Sequence, residues 1–334
     1  MNNDTTTPKP AAEWQLRSVY STRLFALLAV GAVLLAISAH RSEVDKGLAD
    51  SGRAIVAVVR GKPESSRVAR GWLRFLSQAF PLVIASYEPI ENPEEFNPDT
   101  LPAFAYRDTK YPIKDTMGDV VRYVDAVVKP IGYLTYVGGL LVQTIEIAIW
   151  GTILSVLISI PLAYFGAAGY TPNKFSYNVA RAICNMNRAI PELIAALVFA
   201  VAYGQGAWAG ILALGVHTSG FLGKFFADDI ENAAKGPQEA LASTGANKLK
   251  VLRYAVLPQV MPQFLAYGQY ILERNVRSAT VLGIVGAGGI GVELNERWKQ
   301  FDYGHVSTIL LAIFITVFIL EQIAQRVRAR LIGE

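Results

Sequence analysis

Residues 137–168 read VGGLLVQTIEIAIWGTILSVLISIPLAYFGAA, a run whose only charge is Glu146. A helix needs about 20 mostly apolar residues to cross the hydrocarbon of a bilayer, and this run exceeds that length. Apolar and polar positions do not alternate with a period of two, so the stretch reads as a membrane-crossing helix and not as a strand of a barrel.

Similar runs recur on both sides of it. Leu24–Ala39 precedes it, closed by Arg23 and His40; Val179–Tyr203 follows, with Pro191 inside; then come Ala207–Ala227, Met261–Val285 and Val306–Ile323. Together they predict an all-α membrane protein with about six transmembrane helices. The composition agrees: 52% of the 334 residues are hydrophobic and 17% are charged, against about 25% charged in soluble domains. A cleaved signal peptide is the rival reading of the first run, but that run lies late behind the polar tail MNNDTTTPKPAAEWQ and lacks a convincing A-x-A site.

Short-loop lysines and arginines set the orientation. Lys174, Arg181 and Arg188 follow the second run; Lys235, Lys248, Lys250 and Arg253 follow the fourth; Arg326, Arg328 and Arg330 lie in the tail. These regions belong in the cytoplasm, which puts both termini there and residues 41–132 outside. In that outer segment ARGWLRFLSQAF gathers Trp72, Leu73, Leu76 and Phe80 on one helical face, as a helix in the membrane interface would. PIENPEEFNPDTLP is too proline-rich for a regular helix or a central strand. It reads as a solvated connector or as a docking site for an external partner.

VLGIVGAGGIGVEL, residues 281–294, contains the spacing G-x-G-x-x-G at Gly286, Gly288 and Gly291. A dinucleotide cradle needs a preceding strand inside a βαβ unit, whereas this stretch follows a membrane-length apolar run. The glycines, Gly289 included, are read instead as a tight turn or a gate at the outer mouth, where helices approach closely.

Catalytic constellations are absent. His40, His217 and His305 are scattered and Cys184 is single, so neither a zinc site nor a disulfide framework is supported. In TSGFLGKFF, Phe225 follows Gly223-Lys224 where a phosphate-binding loop needs Ser or Thr. The chain is expected to bind no cofactor or metal of its own, and no nucleic acid.

AAKGPQEALASTGANKLKVLRYAVLPQVMPQF, residues 233–264, reads as a cytoplasmic helix-Gly-helix unit. Pro237 suits a first helical turn and Glu239 suits the positive end of the helix dipole. Gly245 can end the first helix in the left-handed conformation, and Asn247 can cap a second. Such a unit fits a groove on a partner protein.

Glu239-Ala240, then Gly245, then Leu257-Pro258 resemble the coupling loop of ABC-importer permeases, although Leu241 stands where alanine is usual. TIEIAIWGTILSVLISIPLAYF, RAIPELIAALVFA, GVHTSGFLGKFF and NVRSATVLGIVGAGGIGVEL, in that order with the loop, resemble the phosphonate-type permeases, which share the methionine-importer-like fold of type I importers. The resemblance covers residues 135–334. It implies three regions: 1–40, a tail and first transmembrane helix; 41–132, an extracytoplasmic segment; and 133–334, a permease core of five transmembrane helices.

The resemblance further implies a bacterial inner-membrane subunit paired with a second permease copy. Two cytoplasmic ATPases would carry ATP and magnesium, and an extracytoplasmic binding protein would deliver the solute. Pro237, Glu239, Ala240, Gly245, Lys248 and Leu249 would contact the ATPase. The solute would be a phosphonate or a related phosphorus oxyanion, phosphite or phosphate; methionine or another small solute, or a non-transporting scaffold, are the alternatives.

Ionisable groups at membrane depth are costly and usually face the bundle interior. Glu146, Arg188, Glu192, Lys224, Arg274 and Arg277 are such groups, with His217 among them. Arg188 with Glu192, and Glu273 with Arg277, are spaced to pair along one helix. Arg274, Arg277 or Lys224 could instead meet a phosphate-like anion.

Overall fold

The computed structural model describes residues 22–80, 82–90, 101–102, 104–114 and 120–332. It comprises two compact units, one ending at Leu76 and the other beginning at Ser77.

In the first unit, α1 (Thr22–Arg41) contains the first predicted span. It turns through 70° into α2 (Val44–Val59), with Glu43 at φ 56° in the break. Helix α3 (Arg67–Ala79) begins in this unit and carries Trp72, Leu73 and Leu76 of the predicted amphipathic face, with Phe80 just past its end; all four are exposed. The N-terminal tail and residues 91–100 of the acidic stretch lie outside the described residues.

The second unit opens with a small antiparallel sheet that the sequence reading did not anticipate. Strands β1 (Ser86–Pro89), β2 (Tyr106–Lys114) and β3 (Val120–Lys129) lie in the order β1-β3-β2, with Tyr87 and Tyr106 both opposite Val128. The β-branched residues of VVRYVDAVV suit a strand, and Ala126 and Val128 are buried. The helices remain the body of the fold.

Helix α4 (Gly132–Gly166) holds the run 137–166 and buries a stripe through Val137, Thr144, Ile147, Gly151, Ser155, Ser159 and Ala163. Against it packs α7 (Ala207–Asn232). Small residues allow the approach: a β-carbon on Gly151 would stand 2.8 Å from Leu214 Cβ, and one on Gly215 2.6 Å from Leu154 Cδ2. Leu222, Phe226, Phe264 and Ile271 build one core against α4, with Phe226 and Phe264 stacked at 4.0 Å.

The predicted third span is not one straight helix. Helices α5 (Lys174–Ala189) and α6 (Glu192–Tyr203) meet at 92° across Ile190-Pro191, because the residue before proline is driven out of the helical region. Helix α8 (Lys235–Ser243) leads through Gly245 to the short α9 (Lys248–Val251) and a π turn (Leu252–Val256). Helix α10 (Leu257–Leu282), α11 (Ile290–Lys299) and α12 (Tyr303–Ile332) complete the chain. Helices α4, α7 and residues Tyr303–Arg326 of α12 are each long and apolar enough to cross a membrane; three bent pairs bring the total among the described residues to as many as six.

Candidate functional site

The break between α5 and α6 brings Glu192 together with His217 and Arg274, and Arg188 precedes it at the end of α5. Glu192 is the first residue of α6, so it does not lie one turn beyond Arg188 on a common helix, and the expected Arg188–Glu192 pair does not form. Glu192 turns instead toward α7 and α10. Its Oε1 accepts from Ser278 Oγ at 2.8 Å, while Oε2 lies 3.7 Å from Arg274 Nη2 and 3.9 Å from His217 Nε2.

The hydrogen bonds assign the His217 tautomer. Nδ1 lies 2.9 Å from the Ile190 carbonyl oxygen and 3.2 Å from that of Asn187, and carbonyls only accept. The ring proton is therefore on Nδ1, and the Nε2 lone pair accepts from Arg274 Nη2 at 3.2 Å. The ring is neutral in this arrangement and ties the carbonyls of the α5–α6 break to α10.

Arg188 and Arg274 both lie over Phe221 of α7, each guanidinium carbon 4.7 Å from the ring centroid. Close packing of α5 on α7 sets this up. A β-carbon at Gly220 would stand 2.6 Å from the Cys184 carbonyl oxygen and 3.0 Å from Arg188 Cγ. Lys224, one turn beyond Phe221, is half-buried. Arg277 pairs with Glu273 at 2.9 Å, as its spacing predicts. Glu146 is exposed on α4 and stands apart from these contacts.

The helix-Gly-helix unit takes the predicted local form. Gly245 has φ +83°, and Asn247 Oδ1 accepts from Lys250 N at 2.9 Å as the cap of α9. Pro237, Glu239, Ala240, Lys248 and Leu249 are all exposed, and α8 buries none of its residues. Gln238 holds α8 in place: its Oε1 accepts from Tyr170 Oη at 2.8 Å and its Nε2 donates to the Ala233 and Ala234 carbonyls. Burial pushes the Tyr170 phenol above its ordinary pKa, which keeps it a neutral donor. Lys248 Nζ reaches the Gly169 carbonyl at 3.3 Å.

The glycine stretch is a packed turn between α10 and α11, preceded by helix. Gly286, Gly288 and Gly289 all have φ between +72° and +85°, and a β-carbon on Gly291 would stand 2.1 Å from the Thr280 carbonyl oxygen. Gly206 N donates to the Gly286 carbonyl at 2.8 Å and Ile290 N to Thr144 Oγ1 at 2.9 Å, knitting the turn to the start of α7 and to α4.

Two networks escaped the sequence reading. Buried Glu293 accepts from Arg297 Nε at 2.7 Å and from Tyr136 Oη at 3.2 Å, tying α11 to α4. Arg181, read only as a loop charge, donates to the Gly166 carbonyl, Asp228 and Glu231, clamping α5 to α4 and α7. The i to i+4 spacing of Glu293 and Arg297 was the available signal for the first; nothing local signals the second.

Residues 159–332 match the family described as the inner membrane component of binding-protein-dependent transport systems. The chain is 45% identical over 260 residues, 76% of its own length and 100% of the relative's, to HtxE of Stutzerimonas stutzeri, provisionally named as a phosphite transport system permease protein. It is 42% identical to the phosphite transport system permease protein PtxC of the same organism, over 57% of this chain and 69% of that protein. It is also 40% identical to the phosphate-import permease protein PhnE of Mycolicibacterium smegmatis, over 58% of this chain and 36% of that protein.

Among solved structures, an inward-facing MetNI methionine ABC transporter matches with a TM-score of 0.50 at 23% identity, over 60% of this chain and 97% of that one. An amino acid ABC transporter matches with a TM-score of 0.51 at 17% identity, over 60% and 96%. At such identities the likeness is one of fold. The chain belongs to the family of binding-protein-dependent transport system inner membrane components, and is a multi-pass ABC transporter permease of the inner membrane.

Proposed function

We propose that this chain, with a second copy of itself, forms the translocation pathway of an ATP-driven importer of phosphorus oxyanions: phosphonates, phosphite or phosphate. Two cytoplasmic ATPases, carrying ATP and magnesium, dock on α8 and α9 around Pro237, Glu239, Ala240, Gly245, Lys248 and Leu249. An extracytoplasmic binding protein delivers the solute, and both termini face the cytoplasm. Closure of the ATPases moves the two docking units, and rigid-body rocking of the bundles opens the pathway outward. The turn at Gly286, Gly288, Gly289 and Gly291 serves as the outer gate.

One observation carries the substrate class. Arg188 and Arg274 share the Phe221 ring, and a single carboxylate, Glu192, faces Arg274. A guanidinium excess between helices suits an oxyanion with several acceptor oxygens, and the relatives named for phosphite and phosphate import support the same class. The test is to purify the tagged chain with its partners, reconstitute them with the external binding protein, and measure ATP hydrolysis against added phosphite, methylphosphonate, phosphate and methionine. Stimulation by a phosphorus compound is expected. Stimulation by methionine alone would discard the substrate class, and a preparation without an ATPase would discard the importer.

A further inference from the structure

Two enclosed polar atoms at the α5–α6 break, Glu192 Oε2 and Arg188 Nε, lack hydrogen-bond partners. An enclosed acceptor or donor left unsatisfied costs free energy until something supplies the missing bond. His217 cannot supply it to Glu192, because its one proton points at the Ile190 and Asn187 carbonyls and its Nε2 lone pair is given to Arg274. Arg274 Nη2, at 3.7 Å, lies beyond hydrogen-bonding distance of Oε2.

We propose that this constellation recognises a tetrahedral phosphorus oxyanion in its singly charged, protonated form: the P–OH donates to Glu192 Oε2, and the unprotonated oxygens accept from Arg188 Nε and Arg274. The inference rests on the importer reading above and deepens it. An oxyanion with no proton presents only lone pairs to Glu192, and two acceptors facing each other repel. Ser278 fixes the other carboxylate oxygen, so Oε2 cannot swing away without breaking that bond.

A pair of probes isolates the proton. Monoanionic methylphosphonate and methanesulfonate have the same shape and charge, and only the first carries an acidic O–H. The full chain in lipid nanodiscs is titrated with each, with binding read as saturation transfer from protein to the probe's methyl protons. A hydrogen bond to a charged group contributes about 1.5–3 kcal/mol, so the wild-type protein is expected to prefer methylphosphonate by about tenfold or more. Glu192→Gln, which can donate to either anion, is expected to close the ratio, and Ser278→Ala, which frees the carboxylate to turn, to narrow it. Equal binding of the two anions by the wild-type protein, or an unchanged ratio in Glu192→Gln, would overturn the proton requirement alone. Binding of neither would instead sink the reading that the solute passes here.

Discussion

At Gly220 the backbone of α7 runs against α5 with no room for a side chain, and the same contact presses the Arg188 stem onto α7. Gly220→Ala must push Cys184, Asn187 and Arg188 away together, since the first obstacle is a carbonyl oxygen and not a movable side-chain end. Overpacking of this kind costs about 1–3 kcal/mol. A lowered thermal midpoint of the solubilised protein is therefore expected, together with weaker oxyanion-stimulated ATP hydrolysis because Arg188 leaves the Phe221 ring. Retained stimulation at normal stability would separate Arg188 from the pathway. Arg188 and Arg274 were recognisable in the sequence as charges at membrane depth. Their shared ring was not, because Phe221 is one apolar residue among many and only the packing of α5, α7 and α10 brings the three together.

Among the elements, the helix-Gly-helix unit makes the sharpest contrast. Gly236 sits in α8 with open space where a side chain would grow, whereas Gly245 has equal space but φ +83°. Gly236→Ala is expected to be neutral or slightly stabilising, and Gly245→Ala to cost about 1 kcal/mol through backbone strain. Glu239→Lys leaves an exposed side chain exposed, so the chain should still fold and insert while losing the ATPase on co-purification; equal recovery of the ATPase would remove Glu239 from the docking surface.

This unit was legible because its signals are local: a proline, a cap and a glycine at fixed offsets, all within reach of one another along the chain. The α5–α6 break was half legible. Pro191 marked it, but the many apolar residues on both sides, with Arg181, Arg188 and Glu192 among them, were read as a single span, and the 92° turn became visible only with the packing. The sheet was missed for a different reason. β1 and β2 are separated in sequence, each pairs with β3, and neither is long or regular enough to declare itself.

For the molecule as a whole, the topology reading makes a claim that labelling can check. In a Cys184→Ser background, a cysteine at exposed Tyr106 should react with a membrane-impermeant maleimide on intact cells, and one at Ala240 only after permeabilisation. The reverse pattern would invert the assignment drawn from the short-loop charges. The path from Lys248 to Val285 is one run of helix, with a π turn at Leu252–Val256, Pro262 inside it and a 3-10 turn at Gly283–Val285. Its first turn belongs to the exposed docking unit, and Arg274 stands near its other end. At about 1.5 Å of rise per residue the two are roughly 39 Å apart, so a tilt of about 5° would sweep one by roughly 3 Å relative to the other. That is about the length of a hydrogen bond. In the importer proposed above, a rigid tilt of that size would carry Arg274 through about the distance that separates a held anion from a released one.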